Sequence, residues 1–265
     1  MTFSVLLSAM FLQDENYIDT LNITSDAVVI NQCDCVDEKR IVRTSRSGSE
    51  QKVDFISTTE RGLSRSRNMA IDMCDSDICI LCDNDVEYEP HYEETICRAF
   101  EEHPEADLIV FFIKRPERSR PIFGKIRRMG YLSVLKIFSP EIAFRKKSIE
   151  GIRFDIEFGA GSKYYMGEEN LFLYECLKQH KKIVYVPTKI ATLRDEQSTW
   201  FKGYGRDYFV TRGANYAAMS RLFGPILNLQ FALRKTRLYK PETSFWNALS
   251  WMREGAKEIK GRKNC

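Results

Sequence analysis

Short apolar runs alternate with helix-patterned segments through the first half of this 265-residue chain, and that rhythm leaves few folds open. Phe3–Leu7, Asp26–Gln32, Val53–Ser57, Asp77–Cys82 and Leu108–Ile113 each read as a strand. Between them, Gly62–Ile71 reads as the start of a helix with Ser64 at its N-cap. Pro90 opens a helical stretch over 91–102, with Ile96, Cys97 and Phe100 on one face. Strands and helices alternating at this spacing predict an α/β fold with a mostly parallel central sheet covered on both faces.

Past Ile113 the pattern changes. Lys114–Arg128 holds seven basic residues and one acidic one, and the segment 114–130, with Pro116, Pro121, Gly124 and Gly130, reads as a mobile loop. Ile142–Phe144 and Ile152–Phe154 read as short strands, Gly159–Gly161 as a flexible stretch, and 171–177 as a helix. Lys182–Val186 reads as a strand stopped by Pro187. Phe245, Leu249, Met252, Ala256 and Ile259 share one helical face near the end of the chain. These signals divide the chain into 1–210, with halves 1–113 and 114–210, and a helical C-terminal extension, 211–265.

Composition narrows the function classes. A hydrophobic content of 43% excludes wholesale disorder. No apolar run is long enough to span a bilayer, and Met1–Val5 lacks a basic leader, so the expected location is cytoplasmic. A net charge of +3 gives no argument for nucleic acid, and none is expected as a partner. The spacing of the eight cysteines fits neither a disulfide scaffold nor, with three histidines available, a zinc site; reduced thiols are expected.

The sharpest chemistry lies at Asp83-Asn84-Asp85, directly after the apolar run 78–82. In open α/β sheets ligands bind beyond the carboxyl ends of the strands. Two carboxylates there, with few counter-charges nearby in sequence, favour a cation. Hard divalent ions such as Mn²⁺ or Mg²⁺ accept carboxylate oxygens and leave positions for phosphate oxygens, which points to a metal–diphosphate site. Upstream, Arg65 and Arg67 fall near a helix N-terminus, where anions are favoured. Downstream, Glu168-Glu169 opens another helix; neighbours there point about 100° apart, so one carboxylate can face a cleft while the other makes a different contact.

Taken in order, the apolar first strand, Gly62-Leu63-Ser64-Arg65-Ser66-Arg67-Asn68, Asp83-Asn84-Asp85 and Gly167-Glu168-Glu169-Asn170 resemble the family 2 glycosyltransferases with the GT-A fold. The resemblance spans roughly residues 3 to 200. The stretch from Phe154 to Asn170 looks like a bacterial subgroup that builds surface polysaccharide. It implies a nucleotide-sugar donor, with UDP as the favoured nucleotide, held across the strand ends. Asp85 would ligate Mn²⁺ or Mg²⁺, and Asp83 the ribose or the metal through water. Arg65 and Arg67 would lie by the base or phosphates, with Asn68 supporting their loop, and Gln32 or Asp34 would read the base. The family's catalytic base matches Glu169; Glu replaces the usual Asp, which leaves Glu168 and Glu169 open for that role.

The expected reaction is a single displacement with inversion onto a saccharide or lipid-linked saccharide. A non-catalytic nucleotide-sugar-binding subunit is the alternative; an intact carboxylate pair at each place argues against it. A haloacid-type phosphatase is disfavoured by Glu87 at the fifth position of its motif, and a nucleotidyltransferase by Ser8-Ala9-Met10-Phe11 after the first strand. Segments 114–128 and 241–265, with Phe245, Trp246 and Trp251 near Arg253 and Lys257, are candidates for peripheral contact with the inner face of a membrane. Trp200 is a candidate for stacking on the acceptor sugar.

Overall fold

The computed structural model describes residues 1–194, 201 and 203–262; Trp200 lies outside the described residues. The strands are β1 (Phe3–Met10), β2 (Asp26–Gln32), β3 (Asp37–Thr44), β4 (Glu50–Thr58), β5 (Ile78–Asp83), β6 (Val86–Tyr88), β7 (Leu108–Lys114), β8 (Arg127–Arg128), β9 (Ile142–Arg145) and β10 (Ile183–Leu193). The helices are α1 (Tyr17–Thr20), α2 (Leu63–Met73), α3 (Tyr92–Glu102), α4 (Glu168–Lys178), α5 (Arg206–Met219), α6 (Gly224–Arg234), α7 (Thr236–Tyr239) and α8 (Phe245–Arg262).

The strands form one sheet in the order β3-β4-β2-β1-β5-β9-β7-β10-β6, with β8 on β10. β4, β2, β1, β5, β7 and β10 run in one direction. β9 inserts antiparallel between β5 and β7, and β3, β6 and β8 are antiparallel too. The sheet is therefore α/β as expected, but mixed. Both faces are covered, which is why β1 is buried along almost its whole length. Val5, Leu7 and Ala9 pack with Ile96 and Phe100 of α3, while Leu6 turns to the opposite core with Ile71 of α2 and Phe172 of α4.

Several local expectations change. β3 escapes a pattern search because it is an exposed edge strand carrying Asp37, Glu38, Lys39 and Arg40, charges that discourage edge-to-edge pairing. No strand forms at 152–154. β10 continues past Pro187 to Leu193, and the ladder to β7 slips between Tyr185 and Lys189, where proline's missing N–H is tolerated. The basic segment 114–130 is pinned, not mobile: Arg115 and Arg118 exchange backbone hydrogen bonds, Arg127–Arg128 pairs with β10, and Ile122 N–H donates to the Tyr185 hydroxyl at 3.0 Å. The described cysteines are free thiols.

The C-terminal helices pack against α4 and against one another. Leu249, Met252 and Ile259 of the anticipated α8 face are buried, and Phe245 and Ala256 partly so. α5 and α8 cross backbone to backbone at Gly213 and Gly255. A Cβ on Gly213 would stand 1.9 Å from the Met252 carbonyl oxygen, and one on Gly255 1.9 Å from that of Val210. Gly213→Ala must therefore separate the two helices. A loss of about 2–3 kcal/mol in urea unfolding is expected, well beyond an ordinary surface substitution.

Candidate active site

The carboxyl ends of β1, β2, β4 and β5 meet at one edge of the sheet. Met10 lies beside Gln32, Gln32 beside Thr58, and Ser8 beside Asp83. β1 continues to β2 on one side and β5 on the other, so the crevice falls where the strand order reverses. β5 ends at Asp83, and Asn84-Asp85 turns the chain into β6. The turn is fixed from two sides: the Tyr17 hydroxyl donates to the Asn84 carbonyl at 2.8 Å, and Arg194 N–H to the Asp85 carbonyl at 2.8 Å.

Arg67 joins this turn to the other half of the site. Its guanidinium, 1% exposed, donates to Asp83 Oδ1 at 2.8 Å, to Glu168 Oε1 at 2.8 Å and to Ser139 Oγ at 2.7 Å. Burial opposes its charge, but Asp83 and Glu168 outweigh that cost and hold the proton more firmly than usual. Sequence distance had hidden this partner of Asp83. The buried face of α2 carries it there, with Ser66 Oγ bonding Ser8 Oγ of β1 at 2.8 Å.

The N-terminus of α4 presents both glutamates. Gly167 caps it with φ near 89°, and a Cβ there would meet the Asn215 amide at 2.4 Å; that amide donates to the Gly167 carbonyl at 2.8 Å. Glu168 is buried against Arg67. Glu169 is partly buried, and its carboxyl is pushed up to about 8, first by desolvation and then by the adjacent Glu168 charge; Arg67 and Arg212 act the other way. Protonated below that value and ionised above it, Glu169 is poised for proton transfer near neutrality.

The remaining candidates divide. Gln32 is buried, and its Oε1 accepts from Gly62 N–H at 2.8 Å. Asp34 is exposed and pairs with Arg61 Nη2 at 2.6 Å, and the Arg61 guanidinium lies 5.5 Å from the centre of the exposed Phe11 ring. Arg65 is two residues from Arg67, about 200° around α2. It is exposed on the outer side, in a groove with Glu60, Asn68, Asp72 and Ile156, so the two arginines do not share one ligand face. Asn68 exchanges hydrogen bonds of 2.9 and 2.8 Å with the Phe154 backbone and supports that loop.

The α2 N-terminus is closed by the chain itself. Gly62 is its N-cap, Leu63 N–H donates to the Ala160 carbonyl at 2.9 Å, and Ser64, inside the first turn, donates to the Phe158 carbonyl at 2.6 Å. The stretch Gly159–Gly161 is thus tied down rather than flexible.

Two arginines escaped sequence reading. Arg212 of α5 lies 5.4–5.9 Å from the ring centres of Phe231, Tyr208 and Tyr216, and contacts Met166 Sδ at 3.3 Å. Arg115 stacks on Phe138 at 4.9 Å; burial, then the Arg118 charge, make its proton easier to lose, against the pull of Glu141 and Glu169. Nothing but the fold links these positions to Glu169. Among the described residues no three His, Cys, Asp or Glu side chains converge as a metal-ligand set. Asp83 and Asp85 supply hard oxygen donors from one turn, which suits an ion completed by phosphate oxygens and water.

The sequence matches the family described as Glycosyl transferase family 2 over residues 26–161, half the chain, and the chain belongs to that family: it is a glycosyltransferase with the GT-A fold. Among solved structures, TarS 1–349 from S. aureus in complex with UDP-GlcNAc superposes with a TM-score of 0.65 at 15% identity, covering 98% of this chain and 83% of that one. The same protein with UDP gives 0.61 at 13%, covering 100% and 92%. A mannosyltransferase from Pyrobaculum calidifontis, in complex with GDP-Man and Mn²⁺, gives 0.50 at 12%, covering 99% and 74%. At these identities the likeness is one of fold. No curated protein matches the sequence significantly.

Proposed function

We propose that this chain moves a sugar from a nucleotide-sugar donor, a UDP-sugar in the first instance, to a saccharide or lipid-linked saccharide acceptor with inversion, in bacterial surface-polysaccharide synthesis. The observation that carries the reading is Arg67. One buried guanidinium ties Asp83, at the nucleotide end of the sheet, to Glu168, next to Glu169. Donor-side and acceptor-side carboxylates are thereby set in one frame, as a displacement between two bound substrates requires.

In this reading Glu169 is the base. The acceptor hydroxyl oxygen attacks the anomeric carbon, its proton passes to the Glu169 carboxylate, and the bond to the nucleoside diphosphate breaks with its electron pair on the leaving phosphate. Glu168 fixes Arg67 and, by its charge, keeps Glu169 basic enough to take the proton. Asp85 and Asp83 would hold Mn²⁺ or Mg²⁺, which supplies neutralising charge to the leaving diphosphate. Gln32, Asp34 and Arg61 surround the end of β2, where the base would lie. Complex-bound TarS and the mannosyltransferase support the donor class through shared fold, and the family match supports the chemistry.

The test is nucleotide release from a panel of UDP- and GDP-sugars with Mn²⁺. Release from one donor, accelerated by an acceptor saccharide and lost in Glu169→Gln, is expected. Release unchanged by that substitution would contradict the assignment of the base.

A further inference from the structure

We infer that the outer face of α6, with the groove between α6 and α8, is a docking surface for a bilayer rich in anionic phospholipid. A helix apolar on both faces belongs in a core or against lipid. On α6, Leu227 and Ala232 are buried, yet Ile226, Leu229 and Leu233 on the opposite side are 61%, 45% and 59% exposed. Leu222, one turn earlier at 75%, continues the same stripe. Its only charge within the helix is Arg234 at the last position.

The surroundings identify the occupant. From Tyr208 to Pro241 the chain contains six basic residues and no Asp or Glu; all but Arg212 lie in the flanks and end of α6, in α7 or directly after it. The groove against α8 has an apolar floor of Pro225, Leu229 and Leu249 and a rim of Arg253, Lys257 and Lys260. Asn228 lines the same groove, 2% exposed, and its Oδ1 has no hydrogen-bond partner among the described residues. An apolar floor, three ammonium or guanidinium groups and an unpartnered buried amide suit a phosphate headgroup with its acyl chains. A second copy of the chain is a poorer occupant, because a twofold contact would set the same cations against each other.

The placement has a use. Phe231, on the inner side of α6, lies 5.4 Å from the Arg212 guanidinium, whose charge acts on Glu169. A membrane on the outer face would have the width of α6, about one helix diameter, between it and the Arg212 side, which suits a lipid-borne acceptor. Of the segments 114–128 and 241–265, this surface takes nothing from the first and Leu249, Arg253, Lys257 and Lys260 from the second. The first is pinned on β10, and of Phe245, Trp246 and Trp251 only Trp246 is exposed. This use rests on the proposed acceptor class; the docking itself does not.

Flotation with vesicles of phosphatidylcholine alone, or with about one third phosphatidylglycerol, tests it without donor or acceptor, so its outcome is separate from that of the transfer assay. Binding to the anionic vesicles, reduced at least about tenfold by Ile226→Glu/Leu233→Glu and weakened by salt, is expected. Arg253→Gln/Lys257→Gln/Lys260→Gln, which leaves the apolar stripe intact, should lose the preference for anionic vesicles. Equal binding to both vesicle types, or flotation unchanged in both variants, overturns the inference. So does a dimer in sedimentation velocity that Ile226→Glu/Leu233→Glu disperses while wild type fails to float; that result assigns the face to a second copy.

Discussion

Arg67→Met is expected to lower unfolding free energy by about 3–5 kcal/mol and to abolish transfer. The guanidinium is buried and makes three charge-assisted or polar hydrogen bonds, so its removal strands Glu168 without its partner and frees Asp83 to move. Arg67→Lys keeps a charge but cannot span three acceptors with a planar fork, so partial stability and little activity are expected. In Arg67→Met/Glu168→Gln the stranded carboxylate is gone, and part of the stability should return. Urea unfolding of the three variants checks this. A loss below about 1 kcal/mol in Arg67→Met would mean that the bridge does not hold the two halves together.

Glu169→Gln should cut turnover by about 10²- to 10⁴-fold while leaving donor affinity and unfolding free energy near wild type. The pH profile carries the same claim. The base works ionised and its carboxyl is held near 8, so kcat/KM of wild type should rise with pH through about 8 and then level. Glu168→Gln removes the neighbouring negative charge, and the limb should move to lower pH. A limb that stays put in Glu168→Gln and vanishes in Glu169→Gln would keep Glu169 as the base but show that Glu168 does not set its basicity. Linkage adds a sign for stability. The carboxyl titrates higher in the fold than its ordinary 4.5, so between these values the native state binds more protons than the unfolded chain, and this group's contribution falls as pH rises toward 8.

Much of the scaffold was legible because strand burial on two faces writes itself as apolar runs. β2, β5, α3 and β7 lie within a residue or so of where those runs put them. What failed was structure with a different physical cause. β3 is an edge held by hydrogen bonding to β4 along a charged sequence, and β10 tolerates Pro187 because its ladder slips there. The carboxylate pairs were visible because charges after an apolar run stand out. Their partner was misjudged: Arg67 looked like a companion of Arg65 on an anion-binding helix end, whereas the helical turn sends the two to different sides. Arg115 and Arg212 have no local signal, since only tertiary packing of a loop and a C-terminal helix brings their charges to bear on Glu169.

The central claim, a donor site built on the β5 turn, is tested most directly by calorimetry of a nucleotide-sugar panel with and without Mn²⁺, on wild type and on Asp85→Ala. One donor binding only with the metal, and at least about tenfold more weakly in Asp85→Ala, is the predicted result. Donor binding indifferent to both the metal and Asp85 would contradict it.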